Sequence, residues 1–323
     1  MIKKTASATR AIPAAPAIPT PAAAQAGARK KPSRPAPDAS APRGTATTAG
    51  AASRERRQRV QSAQTGMAVL KGLARLGGRA SLSGLAGYVG ESPAKVHRYL
   101  VSLIEEGLVA QDGATQQYLL GAEAMMIGVA AMRAADPVRA AEPALVRLRE
   151  ALEVTSFVAV MGNMGPTIVR FEEPGLPVTV NVRVGSVMSL LWSSTGRVFL
   201  GLLDDTRMLA QAEDELAQAD AALRALLPAA DPIGMLRRDV RAARCASVRD
   251  TNLKGISAVS APLFDHTGKV CAVLTALGAT GGFDASPDGP IARALLGEAA
   301  AASALLGYAQ DAASASTKAT RKA

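Results

Sequence analysis

Lys95 and Arg98 stand one helical turn apart in the run Ser92-Pro93-Ala94-Lys95-Val96-His97-Arg98-Tyr99-Leu100, with Ser102 one turn further on. Cations and small hydroxyls on one solvated helix face meet phosphate oxygens and guanine edges well. Catalytic chemistry has less to stand on. The chain has two histidines, His97 in this same run and His266 in Asp265-His266-Thr267-Gly268. No H-E-x-x-H, C-x-x-C, Walker or Rossmann spacing occurs. Ser193 and Ser194 have no evident base near them in sequence. The expectation is therefore no catalytic residue, no metal site and no cofactor.

Two cations on a solvated face are ordinary in themselves, so the weight falls on the elements around them. Ser81 to Gly90 reads as a short helix. A turn follows, and then a second helix with its own start signal: Ser92 as cap and Pro93 at the first position, where a missing N–H costs nothing. Val96, Leu100, Leu103 and Ile104 recur at helical spacing as the buried stripe, which leaves Lys95, Arg98 and Ser102 opposite. Gly107 ends the helix. Leu108 to Gln111 and Gln116 to Leu119 flank Asp112-Gly113, a turn dipeptide. Helix, turn, capped helix and hairpin in that order make a winged helix-turn-helix, whose second helix enters the major groove of double-stranded DNA. The expected DNA-facing set is Ser92, Lys95, His97, Arg98 and Ser102.

Charge and composition bound the rest. Residues 1–60 hold twelve Lys or Arg against Asp38 and Glu55, which accounts for the whole net charge of +10; the remainder holds 25 of each sign. The excess thus belongs to an arm rather than to a basic globular surface, and serves either phosphate contact or mere solubility. That arm is rich in Ala, Pro, Ser and Thr without a period, which predicts disorder. Pro13, Pro16, Pro19 and Pro21 break any apolar run after Lys3-Lys4, so a signal peptide is not expected, and no run is long enough for a membrane span. Aromatics are only 3% of the chain, so the core must be built from Ala, Leu, Val, Ile and Met. Two cysteines, Cys245 and Cys271, make no secreted-type disulfide framework and point to a cytoplasmic protein.

The DNA module starts with a helix over Val60–Leu76, its apolar face formed by Met67, Leu70, Leu73, Ala74 and Leu76. A Met-rich linker helix is expected over Ala122–Arg133, and another helix from Pro137 to Leu152. Strands are then expected at Ser156–Gly162, Thr167–Glu173 and, by alternation, Val178–Val184. Helices follow at Ser194–Leu203, Thr206–Leu227 and Pro232–Arg244. A hairpin of Ile256–Phe264 with Lys269–Leu277 precedes a terminal helix, Pro287–Tyr308. Strands interspersed with runs of helix indicate an α+β fold with a mainly antiparallel sheet.

Several motifs resemble those of the IclR family of bacterial transcriptional regulators. They are Q-S-A-Q-T-G-M-A-V-L at 61–70, S-L-S-G-L-A at 81–86, S-P-A-K-V-H-R-Y-L at 92–100 and Y-L-L-G at 118–121. Further on come V-R-V-G-S at 182–186, S-S-T-G-R-V-F-L at 193–200 and G-I-S-A-V-S-A-P-L-F-D at 255–265. The resemblance implies a winged helix-turn-helix over residues 59–121, a linker helix over 122–136, and a GAF-like effector-binding and oligomerisation domain over 137–310. A disordered arm, 1–58, and a disordered tail, 311–323, flank them. It also implies a homodimer or dimer of dimers on a partly palindromic operator, and a small organic or aromatic acid as effector.

For the effector, the resemblance implies a site built from the loop before the G-R helix, the segment before the G-I strand and the last hairpin strand. These map to Ser193, Ser194, Thr195 and Gly196; to Arg249 and Asp250; and to Ala258, Thr275 and Leu277, while Trp192, next to the first loop, either lines the site or fills the core. With Thr275 the one polar strand position, this pocket is less polar than one made for a two- or three-carbon acid. A DNA-binding architectural protein, whose second domain only dimerises, is the competing function. A ligand-induced shift in melting temperature separates the two.

Overall fold

The computed structural model describes residues 60–175 and 182–309. The arm 1–58, the tail 311–323 and residues 178–181 of the expected third strand lie outside them.

The first elements form the winged module: α1 (Gln61–Arg75), β1 (Arg79–Ala80), α2 (Leu82–Val89), α3 (Pro93–Glu105), β2 (Val109–Gln111) and β3 (Tyr118–Leu120). The strands pair antiparallel in the order β1-β3-β2. Start signals behave as their chemistry requires. Ser81 Oγ accepts from Gly84 N at 3.1 Å, and Ser92 Oγ from Lys95 N at 3.4 Å. Val96, Leu100 and Leu103 are buried against Val69, Leu73, Leu85, Val109 and Tyr118. Ile104, expected in that stripe, is exposed.

The buried face of α1 also differs from expectation. It carries Gly66, Val69, Gly72 and Leu73, while Met67, Ala74 and Leu76 are exposed. The glycines explain the rotation. A Cβ at Gly72 would stand 3.0–3.3 Å from Val89, Leu85 and Tyr88, so the α1–α2 approach depends on its absence.

Helix α4 (Ala122–Ala134) buries none of its residues and exposes Met125, Met126, Ile127 and Met132. Helix α5 (Pro137–Leu152) follows, capped by Asp136. The second sheet comprises β4 (Thr155–Gly162), β5 (Gly165–Glu172), β6 (Ala246–Arg249), β7 (Ile256–Phe264) and β8 (Val270–Ala279), antiparallel in the order β5-β4-β8-β7-β6. Residues 182–184 are not strand. Between the sheet's halves run α6 (Ser194–Leu202), α7 (Thr206–Gln218), α8 (Ala221–Arg224) and α9 (Pro232–Ala243). The long helix expected over Thr206–Leu227 is thus two, because Asp220 turns outward and caps α8. The last helix, α10 (Pro290–Leu305), packs with α5 on one sheet face, while α6 and α9 cover the other. Covered on both sides, β7 buries every residue from Ser257 to Phe264 and shows no polar alternation. Among the described residues no helix is long and apolar enough to cross a membrane.

Candidate functional site

Helix α3 presents its N-terminal half to solvent, with Ser92, His97, Arg98 and Ser102 exposed. Three of the expected DNA-facing residues are already engaged. The Lys95 ammonium lies 2.7 Å from Glu91 Oε1, so its charge is matched. His97 Nδ1 lies 3.2 Å from the Tyr118 hydroxyl, which ties the helix to the wing strand β3. Ser92 spends its oxygen on the cap. Arg98 forms no ion pair among the described residues and is the free cation of this face. The wing turn Asp112–Gln117 carries no cation. There Asp112 accepts from Ala114 and Thr115 amides, which hold its carboxyl below the usual carboxylate range, and it lies 3.9 Å from Arg79.

The second candidate is a small cavity of about 20 Å³ between the sheet and the start of α6, room for about one water. Strand register builds one wall. Phe157, Thr275 and Ser260 lie opposite one another on β4, β8 and β7, and the neighbouring rung aligns Leu277, Ala258 and Val248. Ser193, Ser194 and Thr195 close the polar end from α6. Of the ten expected effector residues, Ser193, Ser194, Thr195, Ala258, Thr275 and Leu277 line this space.

The other four do not line it, for physical reasons. Gly196 is packed under the chain: a Cβ there would overlap the Ser189 carbonyl, and its amide is taken by Ser193 Oγ at 2.9 Å. Trp192 is buried in the core, its carbonyl accepting from Thr251 Oγ1 at 2.6 Å. Arg249 is exposed on the edge strand. Asp250 braces the 250–255 loop by accepting from Gly255 N and Thr280 Oγ1, each at 2.8 Å. That loop brings Asn252 and Leu253 onto the cavity, which together with Phe157, Val182, Met188 and Ile256 were not foreseen.

Among the described residues no charged side chain lines the cavity. Its polar lining is the hydroxyl residues and Asn252, and the amides of Ser194 and Thr195 have no acceptor among the described residues. Arg197 lies on the next turn of α6, and its guanidinium donates to the carbonyls of Leu191 at 2.8 Å and Ser247 at 3.4 Å, pinning loop to strand. Burial pushes its pKa down, opposed by the Asp239 charge. Among the described residues no group of three or more His, Cys, Asp or Glu side chains could hold a metal ion.

Residues 62–113 match the model of the IclR helix-turn-helix domain, and residues 129–304 match that of the bacterial transcriptional regulator IclR C-terminal domain. The crystal structure of Pseudomonas aeruginosa HmgR is 42% identical to this chain with a TM-score of 0.71, covering 78% of this chain and all of that one. The Pca regulon regulatory protein of Pseudomonas putida is 27% identical over 184 residues, which span 56% of this chain and 61% of that protein. The HTH-type transcriptional regulator BhcR of Paracoccus denitrificans is 27% identical over 205 residues, 62% of this chain and 71% of that one. The latter two are named as regulators.

Proposed function

The chain belongs to the IclR family of bacterial transcriptional regulators, and on that premise we propose that it is a ligand-responsive one, its grip on DNA set by a small organic acid with an apolar or aromatic body. The observation that carries the proposal is the cavity at the start of α6. Its walls are mostly apolar, while its closed end offers hydroxyls and two free amides at a helix N-terminus, the arrangement that holds a carboxylate. A cavity of about 20 Å³ holds about one water, so a bound acid requires its lining to move apart.

Two copies would place two recognition helices on a partly palindromic operator, and the ligand would act by changing how the copies pair. The exposed methionines and Ile127 of α4 support pairing, since a monomer rarely leaves so apolar a helix in water. Such a protein works where the chromosome is, in the cytoplasm.

Calorimetric titration with benzoate, phenylacetate, glyoxylate and pyruvate tests the ligand class. Binding of the aromatic acids is expected. Tight binding of glyoxylate or pyruvate alone would refute the apolar body. The small volume of the cavity favours a second reading, an architectural DNA-binding protein whose C-terminal domain only dimerises. On that reading no carboxylic acid shifts the melting temperature.

A further inference from the structure

Four hydroxyls meet at the polar end of the cavity, and one of their bonds has a fixed donor. Ser260 Oγ donates to Ser194 Oγ at 2.7 Å. It also meets Thr275 Oγ1 at 2.8 Å, Thr275 meets Thr195 Oγ1 at 2.8 Å, and Thr195 lies at the longer distance of 3.5 Å from Ser260. None of the four residues is more than 1% exposed. Each hydroxyl has one proton to give and two lone pairs to receive. Ser260 gives its proton to Ser194, so from Thr275 it accepts. Thr275 has then spent its proton and accepts from Thr195. The proton left over belongs to Ser194, and it has no acceptor among the described residues. Ser194 lines the cavity, whereas Ser260 stands behind it.

We infer that this relay, running Thr195 to Thr275 to Ser260 to Ser194, aims one outgoing donor into the cavity at Ser194, and that Ser260 is the positioning residue that sets its direction. The inference rests on the acid-binding role proposed for the cavity and adds its selectivity. The Ser194 hydroxyl stands beside the amides of Ser194 and Thr195, which begin the same helix and have no acceptor among the described residues. A ligand atom seated there must be an acceptor only, such as a carboxylate oxygen, and an N–H would face another proton. The relay has no reverse sense, because the bond between Ser260 and Ser194 has Ser260 as its donor. Each bond in such a chain polarises the next, so the direction is held cooperatively.

The full-length protein and its variants test both halves. Without ligand, Ser194→Ala and Thr275→Val should lower the melting temperature non-additively, by about 2–4 °C, because Ser260 connects them. In a Ser260→Ala background the same two decreases should become additive. Additive decreases with Ser260 present would overturn the relay, whatever the cavity binds. With ligand, the wild type should bind benzoate at least about tenfold more tightly than benzamide. Ser260→Ala frees the Ser194 lone pair to accept an N–H, so this ratio should shrink by about tenfold. Ser260→Thr, which keeps the hydroxyl, should preserve the ratio. A mere packing defect would weaken both probes alike, and an unchanged ratio in folded Ser260→Ala would overturn the positioning role. Intact coupling with neither probe bound by the wild type would instead overturn the acid-binding role, and the selectivity with it.

Discussion

Arg98 and Lys95 differ by one ion pair, and that pair separates their expected roles. Arg98 is free to reach a base edge, so Arg98→Ala should weaken specific operator binding by about 1–3 kcal/mol with melting and circular dichroism unchanged. Wild-type operator affinity in the folded variant would remove Arg98 from the interface. Lys95 is already matched by Glu91. Glu91→Gln should release it to meet a phosphate, strengthen binding to all sequences evenly, and steepen the log–log salt slope by about 0.9. No change in slope would show that Lys95 does not reach DNA even when freed. Cys271 gives a third test at this scale. Burial first, then the Asp265 charge, pushes its thiol up to about 11 from the usual 9. The unfolded chain therefore loses this proton before the folded one does. The stabilising contribution is whole below pH 9 and disappears as the pH rises from 9 to 11. In urea titrations, the midpoint of the wild type should fall more across that window than the midpoint of Cys271→Ala; parallel falls would refute the raised pKa of this half-buried thiol.

At the scale of elements, what could be read in advance follows the range of the forces involved. Helix α3 and the wing were legible nearly to the residue, because Ser92, Pro93 and the Asp112-Gly113 turn act locally. Strands β1 and β6 were not, since two and four residues carry no period; they exist because β3 and β7 offer them hydrogen bonds. Ser260 escaped for a related reason. In an alternating strand its hydroxyl reads as facing water, but helices cover both faces of this sheet and that polarity is turned inward. Helix α1 shows the remaining failure. Periodicity counts large apolar side chains, and here glycines form the packing face. The two glycines should answer mutation with opposite signs. A Cβ at Gly66 meets only Tyr99 at 3.5 Å, an ordinary van der Waals distance, so Gly66→Ala should gain up to about 1 kcal/mol from helix propensity. At Gly72 the same gain is set against three tight neighbours, whose overpacking costs about 1–3 kcal/mol, and the net effect should be destabilising. Thermal melts of the two variants decide; shifts of the same sign would mean that the α1–α2 spacing is not set by Gly72.

At the scale of the whole molecule, charge is distributed very unevenly. From residue 61 onward the chain is neutral, with 25 charges of each sign, and the net +10 lies in residues 1–60. A neutral body gains no general attraction to a polyanion, so its hold on DNA depends on the few groups that α3 and the wing present, and the wing turn brings no cation. The arm is where sequence-independent affinity would come from. Removing residues 1–58 takes away eleven of its twelve cations. Base discrimination, which is proposed for α3, should survive, while total affinity falls. The salt dependence should flatten as well, since each phosphate no longer neutralised lowers the log–log slope by about 0.9, and four engaged cations would shift it by about 3.6. Binding isotherms for full-length and truncated protein across a salt series measure this directly. Superimposable slopes would mean that the arm keeps the protein in solution and does not touch DNA. The operator would then be held by a neutral body through Arg98 and its neighbours, and affinity would have to come from the pairing of two copies.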